Sequence, residues 1–195
     1  MPSYGIYLGN KDDPYPFFKG LTDSDLGMGD ERKSISGYVV MLGDSPIAWS
    51  SKQQVVVVLS SCEVEYLAAS NCTCQLIWFR NLFEELGYPQ TSATPLFCDN
   101  QGTVVCTHDP NGHMRMKHIA IRVHFIWDCI NKGYVDIIYI SNQSNIADLF
   151  TKALTKVLHQ SWVKLLQLDV GQVGVSTSDH LSSYTIAVAW HSNLI

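Results

Sequence analysis

The stretch Phe17-Phe18-Lys19-Gly20-Leu21-Thr22-Asp23-Ser24-Asp25 decides how the rest of the chain is read. It starts apolar, ends in two acids, and is followed by Gly27 and Gly29. That pattern is a strand with carboxylates at its exit. Asp is depleted in strands, so two at one strand end call for a reason. Asp, Ser and Gly also punctuate ordinary turns, because their side chains and backbones bond locally. Alone, the stretch admits a turn or one wall of a metal site, and the turn is the commoner outcome.

Working outward, Gly37-Tyr38-Val39-Val40-Met41-Leu42-Gly43 reads as a second strand, Asp44-Ser45-Pro46 as a turn and Ile47–Ser51 as a third strand. Three strands in quick succession predict an antiparallel meander. Ser60-Ser61-Cys62-Glu63 opens a long helix with a capping box, Ser60 capping and Glu63 three residues on. The helix is expected to reach about Leu86, stopped by Gly87, with Leu67, Ala68, Asn71, Cys74, Ile77, Trp78, Leu82 and Leu86 inward. Thr94–Cys98 is a strand leading to Asp99-Asn100-Gln101 and a short helix over 102–107. A second long helix is expected over 117–132 with Ile121, Phe125, Ile126 and Ile130 inward. A strand follows over 134–140, with Val135, Ile137 and Tyr139 on one side. Asn145 then caps a helix carrying Ala147-Asp148-Leu149-Phe150, and residues 157–168 form an amphipathic helix through Leu158, Trp162, Leu165 and Leu166. Strands first, then strands alternating with helices, give an α/β domain on a mixed sheet.

The 195 residues suffice for one domain with a sizeable core. A net charge of −5 gives no general attraction to nucleic acid, so any such binding needs a local basic patch or bound cations. Six cysteines, mostly in apolar periodic segments, read as buried reduced thiols. Cys72 and Cys74 fall on opposite sides of a helix, which argues against a shared zinc. The start has no signal-peptide pattern and no apolar run is long enough to span a bilayer. An intracellular chain without membrane contact is expected.

Four segments place an acid at or near an element end: Asp23, Glu63 or Glu65, Asp99 and Asp148. Acids brought together repel one another unless divalent cations neutralise them. Hard oxygen ligands suit Mg²⁺ or Mn²⁺. Two such ions about 3.5–4 Å apart activate water and stabilise the leaving oxygen in phosphodiester cleavage. Each acid also has a plain role open to it: Asp99 as an N-cap, Asp148 facing a helix dipole, Glu63 and Glu65 in solvent. Two residues apart on a helix, Glu63 and Glu65 diverge by roughly 200°. The capping box uses Glu63, which leaves Glu65 as the better ligand.

The run Leu59-Ser60-Ser61-Cys62-Glu63-Val64-Glu65-Tyr66-Leu67-Ala68 resembles the corresponding helix in the RNase H domain of copia-type LTR retrotransposon Pol polyproteins. So do Ser36-Gly37-Tyr38-Val39, Pro46–Gln53, Cys98-Asp99-Asn100-Gln101, the Lys117–Ile126 segment and Ala147-Asp148-Leu149-Phe150-Thr151-Lys152. They follow the family's order over about residues 18–168, in a domain set at 17–168. Residues 1–16 resemble the connection that follows the reverse transcriptase, and 169–195 form a tail with no assigned role. The resemblance implies an RNase H-like fold and a ribonuclease that hydrolyses the RNA strand of RNA–DNA hybrids with two Mg²⁺ or Mn²⁺ ions. It implies Asp23, Glu65, Asp99 and Asp148 as the catalytic ligand set, with Asp25 a weaker match. Departures are Leu26 for Trp, Cys62 for Thr and Ala120 for Asp. No loop histidine lies in Ile140–Asn145, where some cellular RNases H carry one.

For nucleic-acid contact, Arg115, Lys117, His118, Arg122 and His124 form the best basic patch. Asn100 and Gln101, beside Asp99, are candidates for reading the 2′-hydroxyl in the minor groove. Partners implied are the hybrid and the reverse transcriptase portion of a parent polyprotein, in a cytoplasmic particle or the nucleus. No Tyr-x-Asp-Asp motif occurs, so DNA synthesis is not expected. A non-catalytic remnant that binds nucleic acid or a protein partner, and a metal-dependent nuclease acting on DNA, are the alternative readings.

Overall fold

The computed structural model describes residues 17–27, 33–54, 60–109 and 119–166. Expectations for 1–16, 55–59, 110–118 and 167–195 lie outside them, among these the connecting segment, the tail and Arg115, Lys117 and His118.

Five strands form one sheet: β1 (Phe18–Asp25), β2 (Ile35–Leu42), β3 (Ser45–Gln53), β4 (Thr94–Cys98) and β5 (Val135–Tyr139). Their spatial order is β3-β2-β1-β4-β5. β1 pairs antiparallel with β2, and β2 with β3, as a meander requires. β1, β4 and β5 run parallel. Ser45 and Pro46 belong to β3, where a turn is expected from sequence; the turn is confined to Gly43 and Asp44. Pro46 is tolerated because β3 lies at the sheet edge, where a missing N–H breaks no ladder.

Helix α1 (Ser61–Glu85) crosses one face of the sheet. Ser60 caps it, accepting from the Glu63 N–H at 3.3 Å. Gly87, at φ 87°, closes its end in the left-handed conformation that suits glycine. Helices α2 (Gln101–His108) and α3 (Ala120–Asn131) join α1 on that side, around Phe18, Leu76, Leu96, Ile126 and Ile137. The other face carries the 3-10 helix Ile146–Phe150 and α4 (Lys156–Leu165), packed through Leu21, Val39, Ile146, Trp162 and Leu166. The alternation along β1 therefore divides two cores, Phe18 serving one and Leu21 the other.

Four inward stripes differ from expectation. Helix α1 buries Ala69, Cys72, Leu76 and Phe79, and leaves Cys74 and Trp78 exposed. Its residues 63–70 are all buried, because the sheet and α3 cover it from two sides, so this half carries no amphipathic signal. Helix α3 begins at Ala120 and turns Val123, Ile126 and Cys129 inward, with Ile121 85% exposed. Tyr139 and Leu165 are likewise exposed, whereas Val135, Ile137, Trp162 and Leu166 are buried as expected.

Candidate active site

Parallel register sets the first two acids side by side. Thr22 of β1 pairs with Cys98 of β4 as the last pair of that ladder, so Asp23, still within β1, and Asp99, just past β4, lie side by side where the two strands part. This is the carboxyl edge of the parallel part of the sheet, where open α/β sheets place their sites. Asp99 does not cap α2, one of its plain readings. That task falls to Asn100, whose side chain accepts from the Thr103 N–H at 3.0 Å.

Glu65 enters from the second turn of α1. Its Oε1 accepts from the Ser24 N–H at 3.0 Å and its Oε2 from the Cys98 thiol at 3.9 Å. Asp148 arrives on the 3-10 helix, capped by Asn145 accepting from the Ala147 N–H at 3.2 Å. One oxygen each of Asp23, Asp99 and Asp148 lie within 4.8 Å of one another, and Glu65, Cys98 and Asp99 form a second such group. All four sequence-predicted acids thus converge, with Asp99 common to both groups. Asp25 continues β1 opposite Ile35 and joins neither group. Glu63 is buried at the helix start.

The acids are held by neighbours. The Thr151 hydroxyl donates to Asp23 Oδ2. Lys152 Nζ donates to Asp23 Oδ1 and to Asp148 Oδ1, both at 3.1 Å. Asn145, fully buried, donates to the Thr22 carbonyl at 2.9 Å and so ties this loop to β1. Gly37 faces Asp23 across the β1–β2 pair. A Cβ there would meet Thr151 Cγ2 at 2.6 Å and Phe150 Cβ at 2.9 Å, so its bare backbone admits Thr151 to the carboxylate.

Burial makes this cluster electrostatically tense. Desolvation first, then the Asp148 charge, pushes Asp23 up to about 6 against the Thr151 bond. Desolvation and the Asp23 charge push Glu65 up to about 8. Desolvation and Asp23 also raise Asp99, and desolvation raises Asp148. Burial alone would lower Lys152, but the Asp23 and Asp148 charges outweigh it and hold the ammonium charged. One cation against four acids leaves a site whose donor chemistry, hard oxygens with excess negative charge, fits divalent metal.

No family model matches the chain. It is 37% identical to the retrovirus-related Pol polyprotein from transposon RE2 of Arabidopsis thaliana over 162 residues, 83% of this chain and 11% of that protein. It is 35% identical to that from transposon TNT 1-94 of Nicotiana tabacum over 142 residues, 72% of this chain and 11% of the relative. Among solved structures, LC11-RNase H1 in complex with RNA/DNA hybrid matches at a TM-score of 0.52 and 14% identity, covering 69% of this chain and 93% of that one. The chain is an RNase H-fold relative of transposon Pol polyproteins. It spans about a tenth of the length of these polyproteins.

Within the RNase H fold, the remaining residues singled out from sequence fall on the rim. Gln101 is exposed and Asn100 half-buried, its Oδ1 engaged in capping α2. Arg122 is exposed and reaches Ser70 Oγ at 3.4 Å, and His124 is exposed on the same helix. Sequence reasoning gave no role to Thr151, Lys152, Asn145 as a tie to β1, or Cys98. A signal did exist for Lys152, which lies one helical turn after Asp148, the spacing at which opposite charges pair.

Proposed function

We propose that this chain is a metal-dependent ribonuclease H that cuts the RNA strand of RNA–DNA hybrids during retrotransposon reverse transcription. The convergence of Asp23, Asp99 and Asp148 oxygens within 4.8 Å, with Glu65 beside Asp99, carries the reading. In it, Asp23, Glu65, Asp99 and Asp148 hold two Mg²⁺ or Mn²⁺ ions. When bound there, the ions would lower the pKa of a nucleophilic water and offset charge on the leaving 3′-oxygen, and the products would carry a 3′-hydroxyl and a 5′-phosphate.

The chain's own residues prepare that chemistry. Thr151 and Lys152 fix the rotamer of Asp23, and the Ser24 N–H fixes Glu65. Such preorganisation places charge before the substrate arrives, so no reorganisation is needed at reaction. In this reading Asn100 and Gln101, which follow Asp99 at the β4 exit, are assigned to the minor groove and its 2′-hydroxyls. Arg122, with Arg115, Lys117 and His118, supplies phosphate contacts. The solved relative of this fold bound to an RNA/DNA hybrid supports the substrate class, and the Pol relatives support a reverse transcriptase partner.

The test compares labelled RNA–DNA hybrid, duplex DNA and duplex RNA with Mg²⁺, using wild type and Asp99→Asn. Only the RNA of the hybrid is expected to be cut, and only by wild type. Folded protein that binds hybrid without cutting it points to the non-catalytic reading. Equal cutting of duplex DNA points to a nuclease of another specificity.

A further inference from the structure

Two thiols meet away from the carboxylates. Cys62 lies in the first turn of α1 and Cys106 in α2, 44 residues later. Their sulfurs are 4.0 Å apart, the Cys62 thiol donating. Both are only partly buried, whereas Cys72, Cys98 and Cys129 are buried. The two helices also meet through a hydrogen bond to the backbone beside the sulfurs. Thr103 of α2, fully buried, donates from Oγ1 to the Cys62 carbonyl at 3.2 Å. A disulfide needs an S–S distance of about 2.05 Å. The gap of about 2 Å that remains is within the reach of side-chain rotation about χ1.

We propose that Cys62 and Cys106 form an oxidant-responsive disulfide that staples the start of α1 to α2. The oxidant is a diffusible disulfide such as oxidised glutathione. The thiolate of one cysteine attacks it, forming a mixed disulfide and releasing one glutathione thiol. The second cysteine's thiolate attacks the protein sulfur and releases the second. The two cysteines lose two protons and two electrons, and glutathione gains both. The bond joins the segments that lead to Glu65 and Asp99, the first one turn beyond Cys62 and the second just before α2. This inference stands apart from the nuclease reading, since its readout is thiol chemistry.

The experiment equilibrates the dilute full chain in oxidised and reduced glutathione, alkylates it, digests it and maps the peptides by mass spectrometry. A Cys62–Cys106 linked peptide is expected, with loss of two alkylatable thiols, reversed by dithiothreitol. Closing a loop of this length is expected to raise the melting temperature by about 10 °C. Cys106→Ser is expected to show neither change. Cys62 and Cys106 remaining separately alkylatable, or linking to other cysteines instead, overturns the proposal. A linked peptide whose formation leaves melting unmoved overturns the staple.

Discussion

Asp23 is 1% exposed, yet it accepts from Thr151 and Lys152 and faces two further acids. Those bonds favour its charge; burial and Asp148 oppose it more strongly. Asp23→Asn removes the opposed charge and keeps the shape. Above pH 7, in chelator, it is expected to stabilise the protein by about 3 kcal/mol, since the rise from 3.8 to about 6 is converted at about 1.4 kcal/mol per pKa unit. It is also expected to lower hybrid cleavage by at least about 100-fold, because losing a ligand costs no less than losing a residue that supports one. Thermal melts and single-turnover cleavage read the two effects. A variant that melts lower than wild type and still cuts would show Asp23 to be a structural acid. This sign reversal, more stable and less active, is what a site held under electrostatic strain implies.

The elements that bring the acids together depend on a missing side chain. Gly37 lies opposite Asp23, and the 3-10 helix packs onto β2 where a Cβ would stand. Overpacking of this kind typically costs about 1–3 kcal/mol. Gly37→Ala is therefore expected to lower stability by that amount in urea melts, with weaker cleavage as Thr151 is pushed from Asp23. Unchanged melting would mean that the 3-10 helix shifts at no cost. Much of this arrangement is legible in the sequence. Asp99 at the exit of β4, the Ser60 and Asn145 caps and the glycine stop after α1 are local signals, and the structure places them as read; Asp23 instead lies inside β1, which runs on to Asp25. The α1 stripe was not legible because burial from two sides erases periodicity through residues 63–70. Ile121 misleads for the opposite reason: an apolar residue at helical spacing carries no mark of which side is covered, and α3 leaves it exposed. The pairing of Lys152 with Asp148 is legible from their spacing, but its bond to Asp23 is not, because Asp23 lies 129 residues away and meets it only through the fold.

For the molecule as a whole, the raised acids set how stability depends on pH. Asp23 rises from 3.8 to about 6 and Glu65 from 4.5 to about 8 on folding. Between those limits the native state holds more protons than the unfolded one, so stability falls as pH rises. The contribution is fully present below about pH 4 and is lost by about pH 8. Metal-free protein is expected to melt progressively lower from pH 5 to pH 8. Millimolar Mg²⁺ is expected to raise the melting temperature more at pH 8 than at pH 6, because ionised carboxylates bind it better. Scanning calorimetry at both pH values, with and without EDTA, checks this; a metal effect independent of pH would contradict it. The bond from Asn145 to the Thr22 carbonyl spans 123 residues. Contacts of such sequence separation form late, because loop closure precedes their reward. During synthesis from the N-terminus, β1 and its neighbours emerge long before Asn145, Asp148 and Lys152 exist to meet them. The ribosome therefore releases β1 to β4 well before the complete carboxylate cluster, so a chain that stops before residue 145 can hold Asp23, Glu65 and Asp99 but not the fourth acid or the lysine that bridges it to Asp23.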